Sequence, residues 1–133
     1  MAKAELQRSL SVWVIAVVAL VFGLLTIKEG GTILFGDDAA RAEAGNYVLF
    51  VVWFNFVAGF FYIAAGVGLW LQQRWGVWLA AAIVAATATT FAAFGWHIYS
   101  GEGYEMRTVI AMSLRTVVWL VIAGVAIHAL GRR

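Results

Sequence analysis

Cysteine and proline are both absent from this chain of 133 residues, and charged side chains fill only 12% of it. Without cysteine there are no disulfides, no thiolate metal ligands, no covalent haem attachment and no paired-thiol relay of electrons to quinones. Proline kinks, one way of breaking a helix where backbone lines a transport site, are excluded too. The 14 glycines leave other interruptions open. Formal net charge is +2, from nine basic and seven acidic residues, too little and too dispersed for a nucleic-acid surface. The chain carries no phosphate-binding loop, zinc-protease helix, calcium loop or nucleophile elbow.

What the chain has is apolar length. Hydrophobic residues make up 64% of it, and mean hydropathy is +0.91. Ordinary soluble domains are about 45–50% apolar and about 25% charged. In all there are about 85 apolar residues, enough for four bilayer spans of about 20 each. The runs fall at about 10–27, 47–71, 77–97 and 108–130. Residues 1–9 are short and polar. The first apolar run exceeds the usual signal-peptide core of about 7–15 residues and no small-residue cleavage site follows, so it reads as an uncleaved first span. Short connections make successive spans antiparallel neighbours. The expected fold is therefore all-α: one domain, 1–133, forming an integral-membrane antiparallel four-helix transmembrane bundle. The segment 28–46 is expected as an external loop, with Asp37 or Asp38 starting a short helix through Arg41 and Glu43.

Orientation follows from basic residues near the span ends. Lys3, Arg8, Arg74, Arg132 and Arg133 lie on one side; Lys28, Arg41 and Arg107 lie on the other. That bias puts both termini in the cytoplasm. Aromatic residues, which favour the membrane interface, mark the same levels. Trp13, Trp70, Trp75 and Trp78 fall at the inner side, and Tyr47, Trp53, Trp96, Tyr99 and Tyr104 at the outer. Span three carries alanine pairs at four-residue spacing, such as Ala81/Ala85 and Ala82/Ala86, and span two carries Gly59 and Gly66 on one face. Small residues let helix backbones approach, so spans two and three are expected to pack tightly.

The informative charges are those inside spans. Arg115 sits about eight residues into span four, about 11 Å from its outer end. A central arginine costs about 2.5–3.5 kcal/mol on insertion scales and normally faces the bundle interior or a water-filled cavity. Its helical face includes Thr108, Met112, Trp119 and Ile122. Asn55 in span two shares a face with Gly59, Tyr62 and Gly66. Thr90 and His97 share a face of span three, and Thr26 and Glu29 close the outer end of span one. The pattern predicts an outward polar pocket lined by Asn55, Tyr62, Thr90, His97 and Arg115, with Glu29, Glu105 and Arg107 at its mouth. The competing structural reading has Arg115 snorkelling or paired with Glu29 or Glu105. In that reading Asn55 bonds Thr90, and Thr87, Thr89 and Thr90 serve packing alone. His97 and His128 end spans of opposite direction and cannot ligate one haem iron. A metal held by His97 with Glu102, Glu105 or Met106 matches no strong motif, so neither cofactor nor metal is expected.

Two stretches, FGLLTIKEG and AGFFYIAAGVGLWLQQRWGVWLAAAIVAA, resemble the small four-helix bacterial membrane proteins of the DoxX-like type. The second is a glycine-rich helix, a short basic turn and an alanine-rich helix; together the two cover about a third of the chain. The acidic segment 28–46 and EMRTVIAMSLR depart from that pattern. The resemblance implies the topology and a bacterial inner (cytoplasmic) membrane, and assigns no activity or residue role. Small multidrug transporters fit less well, since span one lacks an embedded acidic residue.

Three functional readings stand together. The first is a non-enzymatic protein binding a small polar or anionic ligand, or a lipid headgroup, around Arg115. The second is a membrane enzyme, acid–base or quinone-linked, using His97, Tyr104, Glu105 and Arg115. The third is an accessory subunit of a larger membrane complex. The expected partners are the lipid bilayer, such a ligand, and further copies or subunits, with no nucleic acid.

Overall fold

The computed structural model describes the backbone of residues 2–45 and 48–130, with side chains from Leu10 onward except those of Ala40 and Ala44. Five helices follow one another: α1 (Ala2–Phe35), α2 (Asp38–Ala44), α3 (Leu49–Trp70), α4 (Arg74–Tyr99) and α5 (Met106–Leu130). Four of them are long and apolar enough to cross a membrane: Leu10–Phe35 within α1, and the whole of α3, α4 and α5. Their outward surfaces are apolar. Leu24, Phe60, Val117 and Leu120 are each more than half exposed, a hazard in water but the natural surface toward lipid. The chain is a multi-pass, all-α membrane protein.

α1 packs on α3 and α5, and α4 packs on the same two, so the four spans close a square. At one end, the strap end, α1 and α4 finish, α3 and α5 begin, and the short α2 lies. The opposite, turn end is the tight α3–α4 connection. There Gln72 takes the left-handed conformation (φ +54°) usually left to glycine. The Gln73 N–H returns to Gly68 O at 2.9 Å, closing the last turn of α3. The aromatic levels agree with the expected interfaces: Trp70, Trp75 and Trp78 are exposed at the turn end, where Trp13 meets Trp70 at 5.9 Å, and Trp96 and Tyr99 are exposed at the strap end. The placements expected for Tyr47, Arg132 and Arg133 lie outside the described residues, as do the side chains of Lys3 and Arg8.

Two expectations are corrected. The first span does not end near residue 27, and 28–46 is not all loop: α1 runs on to Phe35. Gly30 and Gly31 fall in the segment expected as loop. Instead Gly30 lies against Phe56 of α3, where an added Cβ would come within 3.0 Å of the Phe56 Cβ. Phe35 then packs edge-on against Trp53 and Phe56, at 6.0 and 5.5 Å between centroids. Packing on α3 offsets the poor helix propensity of glycine. Arg41 in α2 folds back, Nε donating to Ile33 O and Nη2 to Leu34 O, both at 3.1 Å. These bonds satisfy carbonyls that a helix end leaves without partners.

Gly59 and Gly66 of the second span also do not serve the expected close packing on the third, and the tightest pairing lies elsewhere. It is α1 against α3. A Cβ on Gly23 would lie 2.8 Å from the Gly59 carbonyl oxygen, and one on Gly59 only 3.1 Å from that of Gly23. Gly66 meets Leu20 and Ala16 of the same helix. The glycine face of α3 is thus spent on α1. α3 and α4 touch closely at the turn, where Gly68 and Gly76 are backbone to backbone. Farther from the turn they part around an apolar groove of about 230 Å³, lined by Phe54, Val57, Phe61, Leu79, Ala82 and Ala86. Ala82, Ala85 and Ala86 are exposed, while Ala80, Ile83 and Thr87 form the buried face of α4.

Candidate functional site

The core has two parts. The larger, toward the turn end, gathers Val12, Ala16, Ala65, Leu69, Val77, Ala80 and Ala126; the smaller gathers Val48, Val51, Phe94 and Met112. Arg115 lies where they meet, one turn beyond Met112 and one turn before Trp119 on the same face of α5. It is 5% exposed, and Met112, Trp119 and Ile122 are all buried. The face read from helical periodicity is thus the inward one.

The guanidinium of Arg115 is held from two other helices. Nη1 donates to Thr26 Oγ1 of α1 at 2.8 Å and, more weakly, to the Tyr62 hydroxyl of α3 at 3.5 Å. Its carbon lies over the Phe22 ring at 5.3 Å and near the Tyr62 ring at 6.0 Å from the centroids. Cation–π contacts of this kind contribute about 0.5–2 kcal/mol each. Tyr62 packs in turn on Trp119, 4.7 Å between centroids. The close approach of Gly23 to Gly59 makes this possible, since Thr26 and Tyr62 each follow one of those glycines by a single turn and so face α5 together.

Among the described residues, no carboxylate pairs with Arg115. Glu29 is exposed on α1, and Glu105 lies ten residues before Arg115 on the chain, beside Gly45. The pairing with either glutamate that a purely structural reading expects is not formed. An arginine keeps its charge in proteins, so a positive charge stands within a span with two hydroxyls and two rings around it and no carboxylate of a described residue. Its Nε has no hydrogen-bond partner and no contact with solvent, and the same holds for Trp119 Nε1 one turn away.

Other polar atoms in the interior are also unmatched. Thr87 of α4 is fully buried with its hydroxyl unpartnered. Thr32, Thr89, Ser113 and Thr116 each bond the carbonyl four residues back, the usual way a helix absorbs a hydroxyl. Asn55 Oδ1 is buried and accepts no bond, so it takes none from Thr90.

Of the expected pocket residues, the structure brings Tyr62 and Arg115 into contact. His97 stays at the strap end, Nε2 donating to Gly103 O at 3.1 Å, with its ring against Phe50 and Phe94. Arg107 donates to Glu43 O at 3.0 Å, tying α2 to the start of α5. Together with Arg41, this makes α2 a strap between the end of α1 and the beginning of α5. Thr90 is half-buried on α4. No hydrogen bond or ring contact links His97 to Arg115, and among the described residues no three His, Cys, Asp or Glu side chains converge as a metal site. Phe22 was missed in the sequence, and Thr26 was read only as closing span one. A signal for Thr26 existed: Gly23, Thr26 and Gly30 share one face of α1, the face that a close helix neighbour would cover.

Comparison with known proteins returns no matching family model, curated protein or solved structure.

Proposed function

We propose that this chain is a non-enzymatic protein of the bacterial inner membrane that binds a small anionic ligand, or an anionic lipid headgroup, at Arg115. The observation that carries the reading is the buried guanidinium with no carboxylate of a described residue beside it. A charge in a low-dielectric interior is normally paired or hydrogen-bonded on every side. Here Arg115 Nε itself and Trp119 Nε1, one turn along α5, are unmet, and both are donors. A cation flanked by unmet donors favours an anionic acceptor. The enzymatic alternative needs His97 and Arg115 to act on one substrate, and their separate partners do not favour it.

The bacterial inner membrane rests on the DoxX-like pattern of the two glycine- and alanine-rich stretches. Cytoplasmic termini, with the strap end outside, rest on the basic bias toward the turn end. Accessibility of a C-terminal tag in intact cells tests the orientation, and a tag reached from outside reverses it. The ligand is tested by thermal unfolding of detergent-purified protein in a series of sodium salts. The wild type is expected to gain stability with at least one anion, and Arg115→Gln to lose that gain. If no anion stabilises the wild type, the reading fails.

A further inference from the structure

We infer that the free edge of Arg115 is a site for a carboxylate, a deepening that rests on the anion-binding reading above. A guanidinium offers five N–H groups in one plane. Nη1 directs its bonds to Thr26 and Tyr62. The side formed by Nε and Nη2 donates to no described residue, and Nε is sealed from solvent. That side presents two parallel N–H groups, the spacing that the two oxygens of a carboxylate match in a fork-to-fork pair.

Three features restrict what binds there. The Phe22 and Tyr62 rings lie beside the guanidinium, and aromatic faces are negative and repel an anion. Approach is therefore in the guanidinium plane, which suits a planar oxyanion. Arg115 is the buried charged side chain among the described residues, so the site supplies one positive charge, matching a monovalent carboxylate rather than a phosphate dianion. Trp119 Nε1, unpartnered and one turn along the same face, is a further unmet donor, which again favours an acceptor-rich ligand. The carboxylate belongs either to a small soluble acid or to the head of an acyl chain.

Purified protein in a carboxylate-free buffer is titrated with acetate, decanoate, chloride and phosphate, following the thermal midpoint and tryptophan fluorescence. Decanol serves as the uncharged control for the acyl chain. At least one carboxylate is expected to act at concentrations about tenfold or more below chloride and phosphate, and decanol to have no effect. Action by acetate identifies a soluble acid as the source, and action by decanoate alone identifies an acyl chain. Arg115→Lys keeps the charge but lacks the fork, and is expected to lose the preference for carboxylate over chloride. Should that variant fail to fold, direct competition of chloride against the carboxylate on the wild type decides the matter. Chloride or phosphate acting as well as the carboxylates overturns this inference and leaves the anion-binding reading standing. An absence of any anion effect removes both.

Discussion

The seam between α1 and α3 and the cluster that these two helices form with α5 around Arg115 lie a single turn apart and solve opposite problems. At the seam, small residues bring backbones together until a Cβ on Gly23 would strike the Gly59 carbonyl oxygen. Every gain there is van der Waals contact, which drives helix association where lipid gives no hydrophobic contrast. At the cluster, large side chains surround a charge and leave two donors unmet. The seam is closed by the chain itself; at the cluster no described residue meets those donors. Membrane interiors leave unmatched polar groups expensive, so one that is kept next to a tightly packed scaffold is the place to look for a ligand.

The contrast can be broken in four places. The largest effect is expected from Gly59→Val. A Cβ there lies 2.7 Å from Ile27 Cγ1, and 3.1 and 3.3 Å from the backbone at Gly23 and Ile27. The backbone atoms cannot swing away, so stability measured by denaturant titration in detergent should fall by about 3 kcal/mol. Any anion response should vanish as well, because Thr26 and Tyr62 lose their register. A loss confined to stability would mean that the seam does not position the cluster.

Arg115→Met should act in the reverse sense. It abolishes the anion response while leaving anion-free stability unchanged or raised by about 1–2 kcal/mol, since an unpaired charge is removed from the interior. A steep loss of stability without added anion would assign Arg115 a structural role. Thr26→Val keeps the side-chain shape but removes the 2.8 Å partner of Nη1. It should cost about 1–2 kcal/mol, and it should weaken the anion response without abolishing it, as read from the midpoint shift at saturating salt. The smallest change is expected from Gly124→Ala, where an added Cβ meets nothing within 4 Å. The helix should gain about 0.5–1 kcal/mol. A loss comparable to that of Gly59→Val would show that glycines matter in this bundle for reasons other than close approach.

Much of this was legible from single-helix arguments. Hydropathy located the four spans within a few residues at most ends, and periodicity turned Met112, Arg115, Trp119 and Ile122 inward together. The errors came where one helix depends on another. The segment from residue 28, with Gly30 and Gly31 in it, reads as loop because nothing local shows Phe56 opposite Gly30. Gly59 and Gly66 were assigned to the wrong neighbour because a small-residue face indicates close approach but not to whom. Glu29 and Glu105 were obvious partners for Arg115 by charge, yet neither is in reach, while the modest Thr26 is.

The sequence by itself determined the class of protein, the number of spans and the fact that a charge must be hidden, because these follow from transfer energies and from the period of a single helix. The tertiary structure decided which hydroxyl meets that charge and which of its edges stays open. Both depend on the rotation and register of α1, α3 and α5 about one another, set by the contact of Gly23 with Gly59 across two helices, a relation that no one segment of the chain contains.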